Sequence, residues 1–437
     1  MALGGGTFIS QNKVLPGAYI NFVSVAQASA TLSDRGIVTM PLDLDWGAEG
    51  KVFAVTAEDF IKNSIKHFGY AYTDPKMKGL RDLFMYATKL YAFRLNSSGA
   101  KATNTFATAK YPGTRGNSIA IVIKANVDDP TKFDCYTYFD GKCVDEQTEI
   151  GSASDLVDND YVDFKQNATL VVTASTPLTG GTNGSIAGTA YQDYLDALEG
   201  YTFNCMGVVT TDSTTKALFA NYCKRMRDEV GAKFQLVLHQ YTTPDYMGVI
   251  SLDNDTQDSG WSVASGVYWL TGAQGGCAVN KSLQNKKYDG EFTFDLDYSQ
   301  SDLIAAIQAG KFVFHNVNGD ARVLDDINTM LTTSDTMGDV FKDNQTVRVC
   351  DQIANDIAVL FNTKYLGTVP NDEAGRISLW SDIVKHHKEL MEIRAIENFE
   401  EADVVVSPGA TKKAVVVNDA VTVVNAMGKL YMTVSVA

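Results

Sequence analysis

The sequence predicts a multidomain chain of mixed α/β and α+β type, and three observations carry that prediction. At 437 residues the chain is too long for one simple core. Strand-like and helix-like segments alternate from about residue 36 to 95 and again from 191 to 317, the pattern of βαβ units on a mainly parallel sheet. Between these stretches, up to Gly184, the text turns into short strands and turns, the spacing of a small β-sandwich inserted into the α/β part.

The first 17 residues are glycine-rich and end in Leu15-Pro16-Gly17. Ala18 to Val25 follows, rich in strand formers, with no turn signal or partner strand at hairpin distance. Tyr19, Ile20, Phe22 and Val23 are therefore expected in an extended arm that pairs with something distant. Gly36–Leu42 reads as a strand. Thr56 caps a helix running to Phe68, with Glu58 and Asp59 near its positive end. A second helix is expected over 76–89, then a buried strand, Tyr91–Leu95.

In the inserted block the expected strands are 102–109, 119–125, 133–139 and 169–174. Tyr111-Pro112-Gly113, Asp128-Asp129-Pro130 and Asp140-Gly141 mark turns between them. Alternation then resumes with helix 191–198, strand 205–209, helix 214–230, strand 234–239, helices 263–274 and 301–309, and strand 312–317. The last stretch reads as helices 349–361 and 377–397 with strands 402–406, 414–417 and 429–436. In the final strand Leu430, Met432, Val434 and Val436 share one face, opposite Tyr431, Thr433 and Ser435. These readings divide the chain into an arm (1–24), an α/β domain (25–97 and 183–344), the inserted sandwich (98–182) and a C-terminal α+β domain (345–437).

Charge and chemistry narrow the function. With 37 basic and 52 acidic residues the net charge is −15, which a phosphate backbone repels, so nucleic acid is not an expected partner. No apolar run approaches the ~20 residues of a membrane span. The N-terminus lacks the charged and apolar regions of a signal peptide, and six scattered cysteines read as reduced thiols, so a cytoplasmic protein is expected. None of the five histidines stands at metalloprotease spacing, and there is no P-loop. Thr271–Cys277 is the nearest approach to a phosphate loop, but it lacks the G-x-G-x-x-G spacing and reads as close backbone packing or a turn. Asp253, Asp255 and Asp258 lack the glycine and glutamate of a calcium loop and read as a solvated loop. Asp43 and Asp45 read as one face of a strand, exposed near Trp46. Cys277 has no identifiable base. No catalytic residue, cofactor or metal is expected, and the chain is read as a non-enzyme.

One helix carries a candidate docking surface. Ile383, His387, Leu390 and Met391 line one face, and the adjacent His386 and His387 are expected to point to different sides. Lys385 and Lys388 lie three apart on another face, with Arg394 further on. In an acidic protein that basic strip is suited to electrostatic docking of a partner.

A series of segments then resembles the sheath proteins of contractile phage tails and phage-tail-like bacteriocins. Pro16–Ile20 is similar to their arm, and Gly36–Gly47 to their first block. Lys110–Asn117 and Leu178–Gly184 resemble the boundaries of their sandwich. Ala321–Thr329, Val347–Ile357, Tyr365–Asn371 and Asn425–Val434 follow in the family's order. The resemblance implies an inner domain built from both chain ends around a tail tube, a middle α/β domain and an outer sandwich. It implies six-fold rings stacked into a helix, linked by terminal arms, with tail tube, baseplate and tail-terminator proteins as partners. Such a particle is assembled in a bacterial host's cytoplasm, and Lys385 and Lys388 become tube-facing. A tube or baseplate protein, or a hydrolase-like enzyme, are the rival readings. Tube proteins are usually much shorter, and no triad or phosphate loop supports the enzyme.

Overall fold

The computed structural model describes residues 32–436. The arm residues Tyr19, Ile20, Phe22 and Val23 lie outside the described residues. The chain forms two compact units, residues 33–355 with 423 onward, and residues 356–422 with Leu32.

The larger unit opens with β1 (Ile37–Leu42), β2 (Val52–Thr56), α1 (Ala57–Phe68), α2 (Lys78–Phe84), β3 (Lys89–Arg94) and β4 (Asn96–Ser97). Thr56 caps α1 as predicted, its hydroxyl accepting from the Asp59 amide. The second helix is shorter than expected, because Lys89 already belongs to β3. Strand β2 was not foreseen; it has five residues and runs straight into the cap of α1. Asp43 and Asp45 lie beyond the end of β1, not on it. Asp45 accepts from Tyr70 and Asn183, and Trp46 is fully buried against Tyr111 and Phe139 instead of bordering an exposed face.

The inserted block contains β5 (Ala107–Ala109), β6 (Ile119–Ala125), β7 (Phe133–Phe139), β8 (Lys142–Ile150), β9 (Val162–Phe164), β10 (Thr173–Pro177) and β11 (Ser185–Ile186). A four-stranded antiparallel sheet in the order β10-β6-β7-β8 and the β5–β9 pair share one apolar core, with Ile119, Ile121, Phe139, Val162 and Phe164 in it. Strand β8 escaped the sequence reading because its Lys-Cys-Val-Asp-Glu-Gln-Thr-Glu-Ile text is mostly polar, as suits the edge of a sheet. β11 pairs antiparallel with β4, so the chain leaves and re-enters the α/β part side by side. A Cβ on Gly184 would stand 1.7 Å from the Ser97 carbonyl oxygen, so this crossing requires glycine.

The chain continues with α3 (Ala190–Leu198), β12 (Cys205–Gly207), α4 (Ser213–Arg225), β13 (Gln235–His239), β14 (Val249–Leu252), α5 (Val267–Gly276), α6 (Gln300–Gln308), β15 (Lys311–Phe312), β16 (Phe314–Val317) and β17 (Asp320–Val323). A seven-stranded sheet runs β15-β14-β13-β12-β1-β3-β2, parallel except for the β2–β3 pair. Its side chains alternate between two cores: Val237 and Ile250 on one, Leu236, Leu238 and Val249 on the other. The glycines of the Thr271–Cys277 segment lie within α5 and at its end. A Cβ on Gly272 would meet the Leu83 carbonyl oxygen at 2.1 Å, and one on Gly276 the Tyr86 oxygen at 2.1 Å. They serve close packing on α2 and the turn after it, as the sequence suggested.

The rest comprises α7 (Asn344–Leu360), α8 (Glu373–Glu392), β18 (Ile396–Glu397), β19 (Val404–Pro408), β20 (Val415–Asp419) and β21 (Thr422–Val423). In the smaller unit β19 and β20 form a two-stranded antiparallel hairpin, and Trp380 of α8 donates its indole N–H to the Val404 carbonyl at 3.0 Å.

Candidate functional site

The start of α7 is held in the larger unit by buried charge. Arg348 donates to Gln274, to the Lys281 carbonyl and to Asp326, and both partners of its ion pair are fully buried. Asp351 makes a two-pronged pair with Arg227 at 2.6 and 2.7 Å. Leaving either carboxylate without its guanidinium would cost several kcal/mol, roughly 3–5. These contacts make the first turns of α7 a rigid post.

The C-terminal segment leaves from that post. Gln345 donates to the Val424 carbonyl and accepts from the Ala426 amide, both at 3.0 Å, and Asn425 bonds Thr346. Beyond Ala426 the character changes. Leu430 is 84% exposed, Met432 74%, Val434 70% and Val436 91%. The patterned strand expected over 429–436 does not form within this chain; residues 424–436 belong to no helix or strand. A strand needs a neighbour to fill its backbone donors and acceptors, and the described residues of this chain supply none there. The β19–β20 hairpin is exposed at Val405, Val416 and Val417.

The two lysines of α8 are exposed, but neither stands alone. Lys385 lies 3.9 Å from Glu389, and Lys388 is bonded to Glu401. Ile383, His387 and Leu390 are buried on one face, whereas Met391 is exposed. His386 and His387 do not diverge. Both rings are buried and turn toward each other, with Nδ1 atoms 3.3 Å apart.

The residues tested for chemistry are scattered and occupied. Asp253 pairs with Lys311 and Asp258 with Lys78, while Asp255 lies beside His239, whose imidazole burial shifts toward its neutral form, so two of the three carboxylates of the supposed solvated loop are ion-paired. Cys277 is buried, which pushes its thiol up, away from a reactive thiolate. All six cysteines are free thiols. Among the described residues no group of three or more His, Cys, Asp or Glu could hold a metal ion, and no helix is long and apolar enough to cross a membrane.

Residues 35–95 match the model of the tail sheath protein Gp18 domain III N-terminal region, and residues 97–183 the phage tail sheath protein beta-sandwich domain. Residues 184–329 match the phage tail sheath protein central domain, and 336–437 the phage tail sheath C-terminal domain. The phage-like element PBSX protein XkdK of Bacillus subtilis is 30% identical, covering 99% of this chain and all of that one. A crystal structure of a sheath tail protein from Desulfitobacterium hafniense superposes with a TM-score of 0.76 at 37% identity, over 90% of this chain and 93% of that one. The anti-feeding prophage helical sheath in its contracted state shares the fold, with a TM-score of 0.56 at 13% identity over 97% and 99% of the two chains. A chain with this domain series and these relatives belongs to the phage tail sheath family, the structural proteins of contractile injection systems.

Proposed function

We propose that this chain polymerises as six-fold rings into a helical sheath around a tail tube, and that contraction of the sheath drives the tube through a cell envelope. The observation that carries this reading is the exposed apolar chain end, Leu430, Met432, Val434 and Val436. It leaves a clamped post and has the period-two pattern of a strand with no ladder among the described residues. Added to the sheet of a neighbouring copy, it would make about four main-chain bonds at roughly 0.5–1.5 kcal/mol net each, several kcal/mol in all. The two-stranded β19–β20 hairpin offers a receiving edge. Tyr19, Ile20, Phe22 and Val23 would supply a second linking strand. Such links act as hinges, holding neighbours together while larger domain surfaces slide and repack into better lateral contacts.

In this arrangement residues 345–437 lie innermost, 25–97 and 183–344 in the middle, and the sandwich 98–182 outside. Lys385 and Lys388 face the tube. Baseplate and tail-terminator proteins close the two ends, and the particle forms in the host cytoplasm. Removing Lys429 to Ala437 tests the linkage. The truncated chain is expected to fold but to give no striated cylinders in negative-stain microscopy, and normal cylinders would overturn the arm model. In a second arm of the experiment, Lys385→Glu with Lys388→Glu is expected to weaken assembly on the tube and leave subunit folding intact. Unchanged assembly would remove the lysines from the tube face.

A further inference from the structure

The smaller unit holds a feature that assembly does not explain. His386 and His387 are adjacent on α8 and both are fully buried. Their Nδ1 atoms are 3.3 Å apart. Each outer nitrogen meets a carboxylate: His386 Nε2 is 3.0 Å from Asp356 Oδ2 on α7, and His387 Nε2 is 2.8 Å from Asp419 Oδ2 at the end of β20. From the following loop Phe399 closes on His387, with ring centroids 5.1 Å apart. The other charged side chains of this stretch of α8 are engaged elsewhere, Lys385 beside Glu389 and Lys388 on Glu401. Asp356, His386, His387 and Asp419 thus form one buried row.

Three contacts join the row, and each needs one hydrogen. Two neutral imidazoles bring two, and two ionised carboxylates bring none. With only two, one contact would set lone pair against lone pair inside the protein, where an unmet polar group is costly. We propose that this row is a proton-binding site, in which His386 and His387 share three protons over their four ring nitrogens, one more than two neutral histidines carry. The extra proton sits on nitrogen because imidazole is the stronger base, about 6.5 against about 3.9 for an ordinary aspartate. It belongs to the pair and not to either ring.

The chain has five histidines, so the full-length protein labelled with 15N-histidine gives a spectrum assignable by single substitutions at His67, His239 and His315. At about pH 7.5 three of the four ring nitrogens of His386 and His387 are expected to carry protons; finding only two overturns the proposal. That measurement needs no variant of the pair.

Discussion

Val249–Leu252 and Leu430–Val436 are both short, apolar, strand-forming stretches, and they have opposite fates. Strand β14 lies between β13 and β15 with all four residues buried. The chain end has the cleaner alternation of the two, yet its four apolar residues are exposed and it joins no sheet among the described residues. A strand's stability comes from the ladder and the face it packs on, so the same composition yields a core element or a free arm according to what flanks it.

The contrast is broken most severely from the buried side. Ile250→Ala removes a fully buried side chain from the core of the seven-stranded sheet and is expected to cost roughly 2–5 kcal/mol in chemical unfolding. A loss below about 1 kcal/mol would mean that β14 is not the anchored member of the pair. A smaller effect tests the anchor of the chain end. Burial, reinforced by the charge of Asp326, pushes the Asp343 carboxyl up from 3.8 to about 6. Its folded value lies above its unfolded one, so the folded chain binds the extra proton. The stability this confers is complete below about pH 4 and is lost as the pH rises through about 6, by at most about 1.4 kcal/mol per pH unit. Asp343 also caps α7 by accepting from the Gln345 and Thr346 amides, and asparagine caps equally well. Asp343→Asn is therefore expected to gain stability on the native chain as pH rises from about 4 to 6, read from unfolding curves across that range. The smallest effect belongs to the exposed side. Leu430→Ser with Met432→Ser should shift unfolding of the dispersed subunit by less than about 0.5 kcal/mol while reducing the yield of assembled cylinders. A large loss of subunit stability would place the chain end in its own core.

What could be read from the sequence followed the strength of each local signal. Helix α1 was legible because Thr56, Glu58 and Asp59 mark its start and apolar spacing marks its length. The parallel sheet was legible because β13 has the apolar centre Leu236-Val237-Leu238 and follows a helix, α4. Strands β2, β8 and β14 were missed: β2 runs into a helix cap, β8 is polar, and β14 has only four residues. The basic strip of Lys385 and Lys388 was legible, but the partner Glu401 was not, since it is 13 residues from Lys388 and reaches it only through the fold. The histidine pair was misread because helical spacing alone separates adjacent residues. Asp356 and Asp419 lie 30 and 32 residues from their rings, and only packing brings the four side chains into a row.

By itself the sequence determined the element types, the inserted block, the absence of familiar catalytic motifs and the period-two pattern of the chain end. These depend on neighbours in the chain: caps, turns and alternation act over a few residues. The tertiary structure alone decided that Trp46 is interior, that Arg348 meets Asp326 and Arg227 meets Asp351, that two histidines face each other, and that Leu430 to Val436 finds no ladder among the described residues. Those outcomes depend on which distant groups are brought close enough to replace water, and no local pattern encodes that distance.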